Sequence, residues 1–329
     1  MKPFEYVSAK DVAQATQALG TERDKAKILA GGTDLLGEMK EYIVSPDRLV
    51  NIKTIPNLDK IETDKKSGAL RLGALVTLAR IFEDKSIAQR YPVLVQAIAV
   101  SAMPQIRNAA TIGGNLCQRP RCWYYRDERT LCLRKGGDTC YAVAGENQYH
   151  AILGGGPCYI VHPSDPAPAL VALGASVVIT NGAKTREVPL EKFFVLPAQD
   201  PHRENILAQN EIITHIVVPP PAPGTRSAYI KERERDSYDW ALASAAVVVT
   251  PGADKRTIAS ARVVLGGVAP IPWRAAQAER ALVGQALSEQ TIAKAAQAAL
   301  AGAEPLEKNG YKVPLAQAVV RRALSLTMV

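Results

Sequence analysis

All five cysteines of the chain, Cys117, Cys122, Cys132, Cys140 and Cys158, fall between positions 117 and 158. That stretch is rich in Gly and Arg and has weak apolar periodicity, so it has little with which to build a core of its own. A loop of such length without regular structure is unusual inside a compact domain and tends to be functional. An odd number of cysteines gathered in one segment argues against a secreted disulfide framework and for a metal or cluster site. The spacing is Cys122-x9-Cys132-x7-Cys140-x17-Cys158. Zinc sites favour closely spaced pairs, and none occurs among these four. Ordinary ferredoxin runs are also tighter. Spacing alone therefore leaves an iron–sulfur cluster, zinc and unconnected thiols all open. Cys117 reads as a small buried residue. Arg119, Arg121, Arg126, Arg129, Arg134 and Lys135 surround the cysteines, and such neighbours stabilise thiolates.

Short motifs flank this stretch. Ala30-Gly31-Gly32-Thr33-Asp34 follows the apolar run Lys27–Ala30 and precedes Leu35, Leu36 and Met39, which have helical spacing. Glycines there let a backbone approach a ligand and expose consecutive N–H groups, and a helix N-terminus suits a pyrophosphate. No G-x-G-x-x-G occurs, so a doubly wound dinucleotide fold is not expected. Thr111-Ile112-Gly113-Gly114-Asn115 is a second such turn. Either turn alone reads as unliganded as readily as liganded; two of similar chemistry point to one dianionic ligand. Asp165, in Pro163-Ser164-Asp165, reads either as a helix N-cap or as a carboxylate for ligand hydroxyls. It lies seven residues from Cys158, a span of at most roughly 24 Å.

The rest of the chain reads as three units, 1–58, 59–219 (with the cysteine insertion at about 117–158) and 220–329. In the first, Ser8 is expected to cap a helix ending at Leu19-Gly20, and Arg48–Ile52 reads as a strand. In the second, Ile61–Thr63 and Leu70–Gly73 suggest a hairpin. Leu75–Ala102 reads as largely helical with a break at Tyr91-Pro92, Asp165–Leu173 as a helix and Ser176–Ile179 as a strand. Pro219-Pro220-Pro221-Ala222-Pro223-Gly224 is a stiff linker. Beyond it come strands at 245–249 and 261–268 and helices at 274–285, 288–302 and 314–325. No apolar run is long enough to span a membrane. The N-terminus has no basic-then-apolar export signal, although export as a partner's passenger stays open. The net charge of +8 is interleaved with acidic residues and aromatic content is 5%, which excludes a nucleic-acid binder and fits an anionic ligand, an acidic partner or a generally basic surface.

Taken together, Ile28-Leu29-Ala30-Gly31-Gly32-Thr33-Asp34-Leu35, Thr111–Asn115, Pro163-Ser164-Asp165 and Lys231 resemble the FAD-binding medium subunit of the xanthine dehydrogenase family of molybdenum hydroxylases. Most such subunits lack a cysteine insertion. The 4-hydroxybenzoyl-CoA reductases and the periplasmic aldehyde oxidoreductases carry one, and it holds a [4Fe–4S] cluster. The x9 spacing, the run from Cys158 to Asp165, and Lys231-x-Arg233-x-Arg235-x-Ser237-Tyr238 are most similar to the aldehyde oxidoreductase group. The resemblance implies an α+β fold: a two-subdomain PCMH-type FAD-binding domain, then a C-terminal α/β domain with a small antiparallel sheet and helices, as in CO dehydrogenase flavoproteins. It implies that Ile28 to Leu35 wrap the FAD pyrophosphate and that Thr111, Gly114 and Asn115 complete the cradle. Ser101 then lines the FAD site, Asp165 bonds its hydroxyls, Ile213 packs near the isoalloxazine and Lys231 sits by its pyrimidine end. Tyr238 and Trp240 either cover the flavin or pack in the core. Cys122, Cys132, Cys140 and Cys158 ligate one [4Fe–4S] cluster.

The function implied is electron transfer, with no catalytic residue in this chain. A large molybdopterin-binding partner oxidises the substrate, and a small partner with two [2Fe–2S] clusters passes electrons to FAD. An external acceptor removes them; a ferredoxin-like protein, oxygen, a quinone and NAD all stay open for that part. The [4Fe–4S] cluster either relays electrons or pins its loop. The closest resemblance implies a periplasmic complex, co-exported with a partner that bears a twin-arginine signal; otherwise the chain is cytoplasmic. Two other readings stand beside it. A self-sufficient FAD oxidase needs an acid or base over the flavin, yet His150, His162, His202 and His215 are scattered and only His162 adjoins a motif. A zinc-stabilised, non-redox binding module would be colourless.

Overall fold

The computed structural model describes residues 1–328. The chain opens with β1 (Glu5–Ser8), α1 (Val12–Leu19), β2 (Ala26–Leu29), α2 (Leu35–Lys40) and β3 (Arg48–Asn51). The three strands form a parallel sheet in the order β1-β3-β2. Ser8 does not cap α1. It pairs with Asn51 in the sheet, and Asp11 takes the cap, accepting from the Gln14 N–H at 2.8 Å. Ala15, Leu19, Ala26 and Val50 close this small core.

Next come β4 (Ile61–Thr63), β5 (Leu70–Gly73), α3 (Leu78–Glu83), α4 (Lys85–Arg90), α5 (Pro92–Ala99), α6 (Pro104–Ala109), α7 (Ile112–Leu116) and α8 (Trp123–Arg126). They are followed by α9 (Pro166–Ala172), β6 (Ser176–Thr180), β7 (Thr185–Pro189) and β8 (Ile212–Val218). Strands β4-β5-β8-β6-β7 make an antiparallel sheet. The helical stretch from Leu75 breaks twice, not once. Asp84 turns extended after α3, and its carboxylate caps α4 through the Ser86 and Ile87 N–H groups; Pro92 then opens α5. Between α7 and α9 the only regular elements among the described residues are α8 and a 3-10 turn, Leu133–Lys135, in keeping with the weak periodicity of that stretch.

The chain ends with β9 (Arg226–Glu232), β10 (Ala243–Pro251), β11 (Ile258–Gly266), β12 (Trp273–Arg274), α10 (Ala276–Leu282), α11 (Glu289–Ala299) and α12 (Lys312–Ser325). The helix expected from 274 starts later because Trp273 and Arg274 pair with β11. The antiparallel sheet runs β12-β11-β10-β9 and is buried on both faces. Alternate residues diverge: Ala228, Ala245, Val247, Val263 and Leu265 meet α10, α11 and α12. Tyr229, Ala246 and Val264 join the core of the preceding unit. The Tyr229 N–H also donates to the Gln96 side chain on α5 at 2.8 Å, so the sheet is fixed directly to that helix beyond the proline run. No helix among the described residues is long and apolar enough to cross a membrane.

Candidate cofactor sites

The turn between β2 and α2 carries Gly32 at φ +71°, a conformation that favours glycine. Gly31 faces a different limit. A Cβ there would stand 2.0 Å from the Ala109 carbonyl oxygen. This close approach sets the first glycine turn against the end of α6, from which the chain runs straight into the second. Thr111 caps α7, its Oγ1 accepting from the Gly114 N–H at 3.2 Å. Both turns therefore open on one cleft of about 520 Å3. Ile28, Ala30, Gly31, Gly32, Thr33, Asp34 and Leu35 line it from one side, Thr111, Gly114 and Asn115 from another, and Ile213 from β8. Leu29 packs beneath Gly32 and is not part of the lining. Gly31→Ala presses a methyl group onto backbone that cannot swing aside, and overpacking of this kind costs about 1–3 kcal/mol. A lowered melting temperature is expected; wild-type melting would show that this contact does not lock the turns together.

Asp165 lines a second cleft, of about 230 Å3, with Arg121, Cys122, His150 and Trp240. Asp165 makes no capping hydrogen bond at α9. Ser164 does so instead, accepting from the Ala167 N–H at 3.0 Å, and its own hydroxyl donates to Asn115. The Asp165 carboxylate pairs with Lys231 Nζ at 2.9 Å and accepts from the Tyr229 hydroxyl at 2.8 Å. Burial pushes the Asp165 pKa up, against the pull of Lys231. Lys231 also donates to the Val100 carbonyl at 3.0 Å, so this lysine, with only 1% of its side chain exposed, has two of its three N–H groups held within the protein. Ser101, the next residue, is half-buried and outside the lining of both clefts. Tyr238 and Trp240 are exposed, which corrects the core-packing alternative; Trp240 borders the second cleft beneath the Arg121 guanidinium.

Cys122, Cys132, Cys140 and Cys158 all line one small cavity of about 10 Å3. Cys117 does not; it is half-buried and lines the glycine cleft. A hydrogen bond from Cys140 holds the Cys158 thiol down at about 6 and drives its own pKa far up. Burial lifts Cys122 to about 11. His150 Nε2 lies 3.3 Å from Cys122 Sγ, and burial holds this imidazole at about 4, hence neutral. Among the described residues no three His, Cys, Asp or Glu side chains are gathered as ligands of a single ion; the four thiols surround a space rather than a point. The same space is lined by Arg134, whose Nε and Nη2 are buried with no nitrogen or oxygen acceptor. Four converging sulfurs beside a cationic donor suit an anionic group with sulfur acceptors.

Asp34, expected at a ligand, is committed to the cysteine segment. Its carboxylate meets Arg121 at 2.7 Å, Arg126 at 2.8 Å and the Arg119 N–H at 2.7 Å. One turn along α2, the buried Glu38 accepts from the Tyr125 hydroxyl at 2.6 Å. The sequence does show acids at positions 34 and 38 and a run of arginines in the insertion, but their pairing is a product of the fold.

In sequence and in fold the chain is an FAD-binding oxidoreductase subunit. Residues 2–221 match the family described as the FAD binding domain in molybdopterin dehydrogenase, and residues 228–327 match the CO dehydrogenase flavoprotein C-terminal domain. The chain belongs to this molybdopterin dehydrogenase FAD-binding family. It is 38% identical over 331 residues to the aldehyde oxidoreductase FAD-binding subunit PaoB of Escherichia coli K12, covering 99% of this chain and 98% of that one. It is 30% identical to the carbon monoxide dehydrogenase medium chain of Hydrogenophaga pseudoflava, covering 98% and 96%. Among solved structures, carbon monoxide dehydrogenase from Hydrogenophaga pseudoflava matches with a TM-score of 0.77 at 31% identity, over 99% of this chain and 98% of that one. Quinoline 2-oxidoreductase from Pseudomonas putida 86 matches with a TM-score of 0.75 at 25% identity, over 99% and 98%. The expected α+β architecture is thus the observed one.

Proposed function

We propose that the chain is the electron-transfer subunit of a heterotrimeric molybdenum hydroxylase acting on aldehydes, holding FAD and one [4Fe–4S] cluster. The observation that carries the reading is the adjacency of three spaces. The four-cysteine cavity shares Cys122 and His150 with the second cleft, which shares Arg121 with the glycine cleft. Ile28 and Ala30 to Leu35 with Thr111, Gly114 and Asn115 would hold the dinucleotide's pyrophosphate; Ile213 and Asp165 would face the rest of it from the two clefts, Lys231 would act through Asp165, and Ser101, outside both linings, would support the site without direct contact. FAD supplies exchange of one or two electrons, and the protein's part is placement and charge. Thiolates of Cys122, Cys132, Cys140 and Cys158 would hold the cluster. Its place in the complex is between a [2Fe–2S] small subunit, beside a molybdopterin-binding large subunit, and a ferredoxin-like acceptor. Co-export with a twin-arginine-signal partner completes the likeness to the aldehyde oxidoreductases. The units 1–58, 59–219 and 220–329 each enclose one of the sheets and serve as the domains of this assignment.

The oxidase alternative draws no support from His162. Its Nε2 bonds the Leu116 carbonyl at 3.3 Å, and burial holds it at about 4, so it is neither charged nor free to move a proton. The test is the cofactor content of the purified chain. FAD together with iron and acid-labile sulfide, seen as yellow flavin bands with a broad brown shoulder at about 400 nm, is the expected result. Colourless zinc-loaded protein, or either cofactor alone, defeats the reading. Aldehyde oxidation by the isolated chain with an artificial acceptor would defeat the subunit role.

A further inference from the structure

Arg134 is placed in a way that a structural ion pair does not explain. It follows Cys132 in the 3-10 turn Leu133–Lys135, and only 1% of its side chain is exposed. Its Nη1 is held by Glu204 at 2.5 Å. Its Nε and Nη2 are buried with no nitrogen or oxygen acceptor, and on the cavity side of the side chain the neighbouring polar group is the Cys158 sulfur. Leaving guanidinium N–H groups unmet in the interior is costly, so a stable fold implies an acceptor on that side. Glu204 is itself 4% exposed, pairs with Arg119 at 3.2 Å, and lines the glycine cleft. One carboxylate thus borders the dinucleotide cleft while gripping the cation that borders the cysteine cavity. Two arginines against one glutamate leave the region net positive.

We propose that Arg134, held by Glu204, is a positioning residue that donates to the sulfur atoms of the group in the cysteine cavity and raises its reduction potential. The inference rests on the [4Fe–4S] reading above. Reduction adds negative charge to a group already bearing it, and a fixed cation close by favours the reduced form. No electron is gained or lost by Arg134 itself.

The experiment is a redox titration of the intact complex, followed by low-temperature EPR of the cluster, with iron and sulfide counted in each preparation. Arg134→Met is expected to keep its iron and to lose at least tenfold in the reduction equilibrium, a downward shift of about 59 mV for a one-electron couple. Arg134→Lys should recover most of that shift, because it restores the charge without the fork. Glu204→Gln should move the potential the other way, since it removes the neutralising carboxylate. If Arg134→Met loses its cluster, Glu204→Gln still decides: a raised potential supports the assignment. A cluster whose potential ignores these substitutions overturns it. A wild-type complex with no iron beyond its [2Fe–2S] centres would instead refute the cluster reading, a distinct outcome.

Discussion

Serine in place of Cys122, Cys132, Cys140 or Cys158 strips the iron from the chain, whereas Cys117→Ser leaves it in place. The four residues share one cavity, and Cys117 faces the glycine cleft instead. A serine hydroxyl is a hard, protonated ligand at neutral pH, and soft iron–sulfur sites select thiolates. Cys158 is the thiol whose pKa its surroundings lower, chiefly through the Cys140 hydrogen bond. FAD should survive each substitution. Asp34 with Arg121 and Arg126, and Glu38 with Tyr125, tie the cysteine segment to α2 without help from the sulfurs. Iron, sulfide and flavin assays on the five variants check this pattern. Iron lost from Cys117→Ser and kept by any of the other four would show that the ligand set is wrong.

How much of this was legible in the sequence depended on distance along the chain. The glycine turns read correctly because their chemistry is local: a strand end, a turn that needs Gly32 at positive φ, and a helix start lie within a few residues. Ser8 and Asp11 compete for one cap, and the choice falls to the pairing of Ser8 with Asn51, which no local rule contains. Strand β8, Ile212–Val218, is central in its sheet and almost continuously apolar; a buried strand of that kind lacks the alternation that marks a half-exposed one. The proline run suggested detachment, but only tertiary packing turns Tyr229, Ala246 and Val264 towards the neighbouring core. Four cysteines at long spacings are equally consistent with one site or none, until the fold lines one cavity with all of them. Asp165 and Lys231 read from the sequence as two separate positions, each turned to a ligand; that they neutralise each other across 66 residues was not legible.

That pair carries the largest expected effect on stability. Lys231→Met should destabilise the chain by about 3–5 kcal/mol, because it leaves the Asp165 carboxylate buried with no counter-charge. At roughly 2–4 °C per kcal/mol for a protein of this order of size, the melting temperature falls by roughly 6–20 °C. The pH dependence follows from the Asp165 pKa, already raised by burial and raised further once the cation is gone. A carboxyl whose folded pKa exceeds its unfolded one binds its proton more tightly in the folded state. Stability is then lost as pH rises from the unfolded value through the folded one. The penalty of Lys231→Met should therefore be largest near pH 8 and shrink towards pH 5 as Asp165 takes up a proton. Asp165→Asn combined with Lys231→Met removes the stranded charge and should return much of the stability, a coupling that a double-mutant cycle measures. Equal destabilisation at both pH values, with no rescue by the second substitution, would mean that Lys231 does not serve as the partner of Asp165. Loss of flavin from Lys231→Met at unchanged stability would place its ammonium against the cofactor instead. In the pair, two of the three Nζ hydrogens are spent on Asp165 and the Val100 carbonyl, so the influence of Lys231 on a flavin is mainly that of a charge held in place.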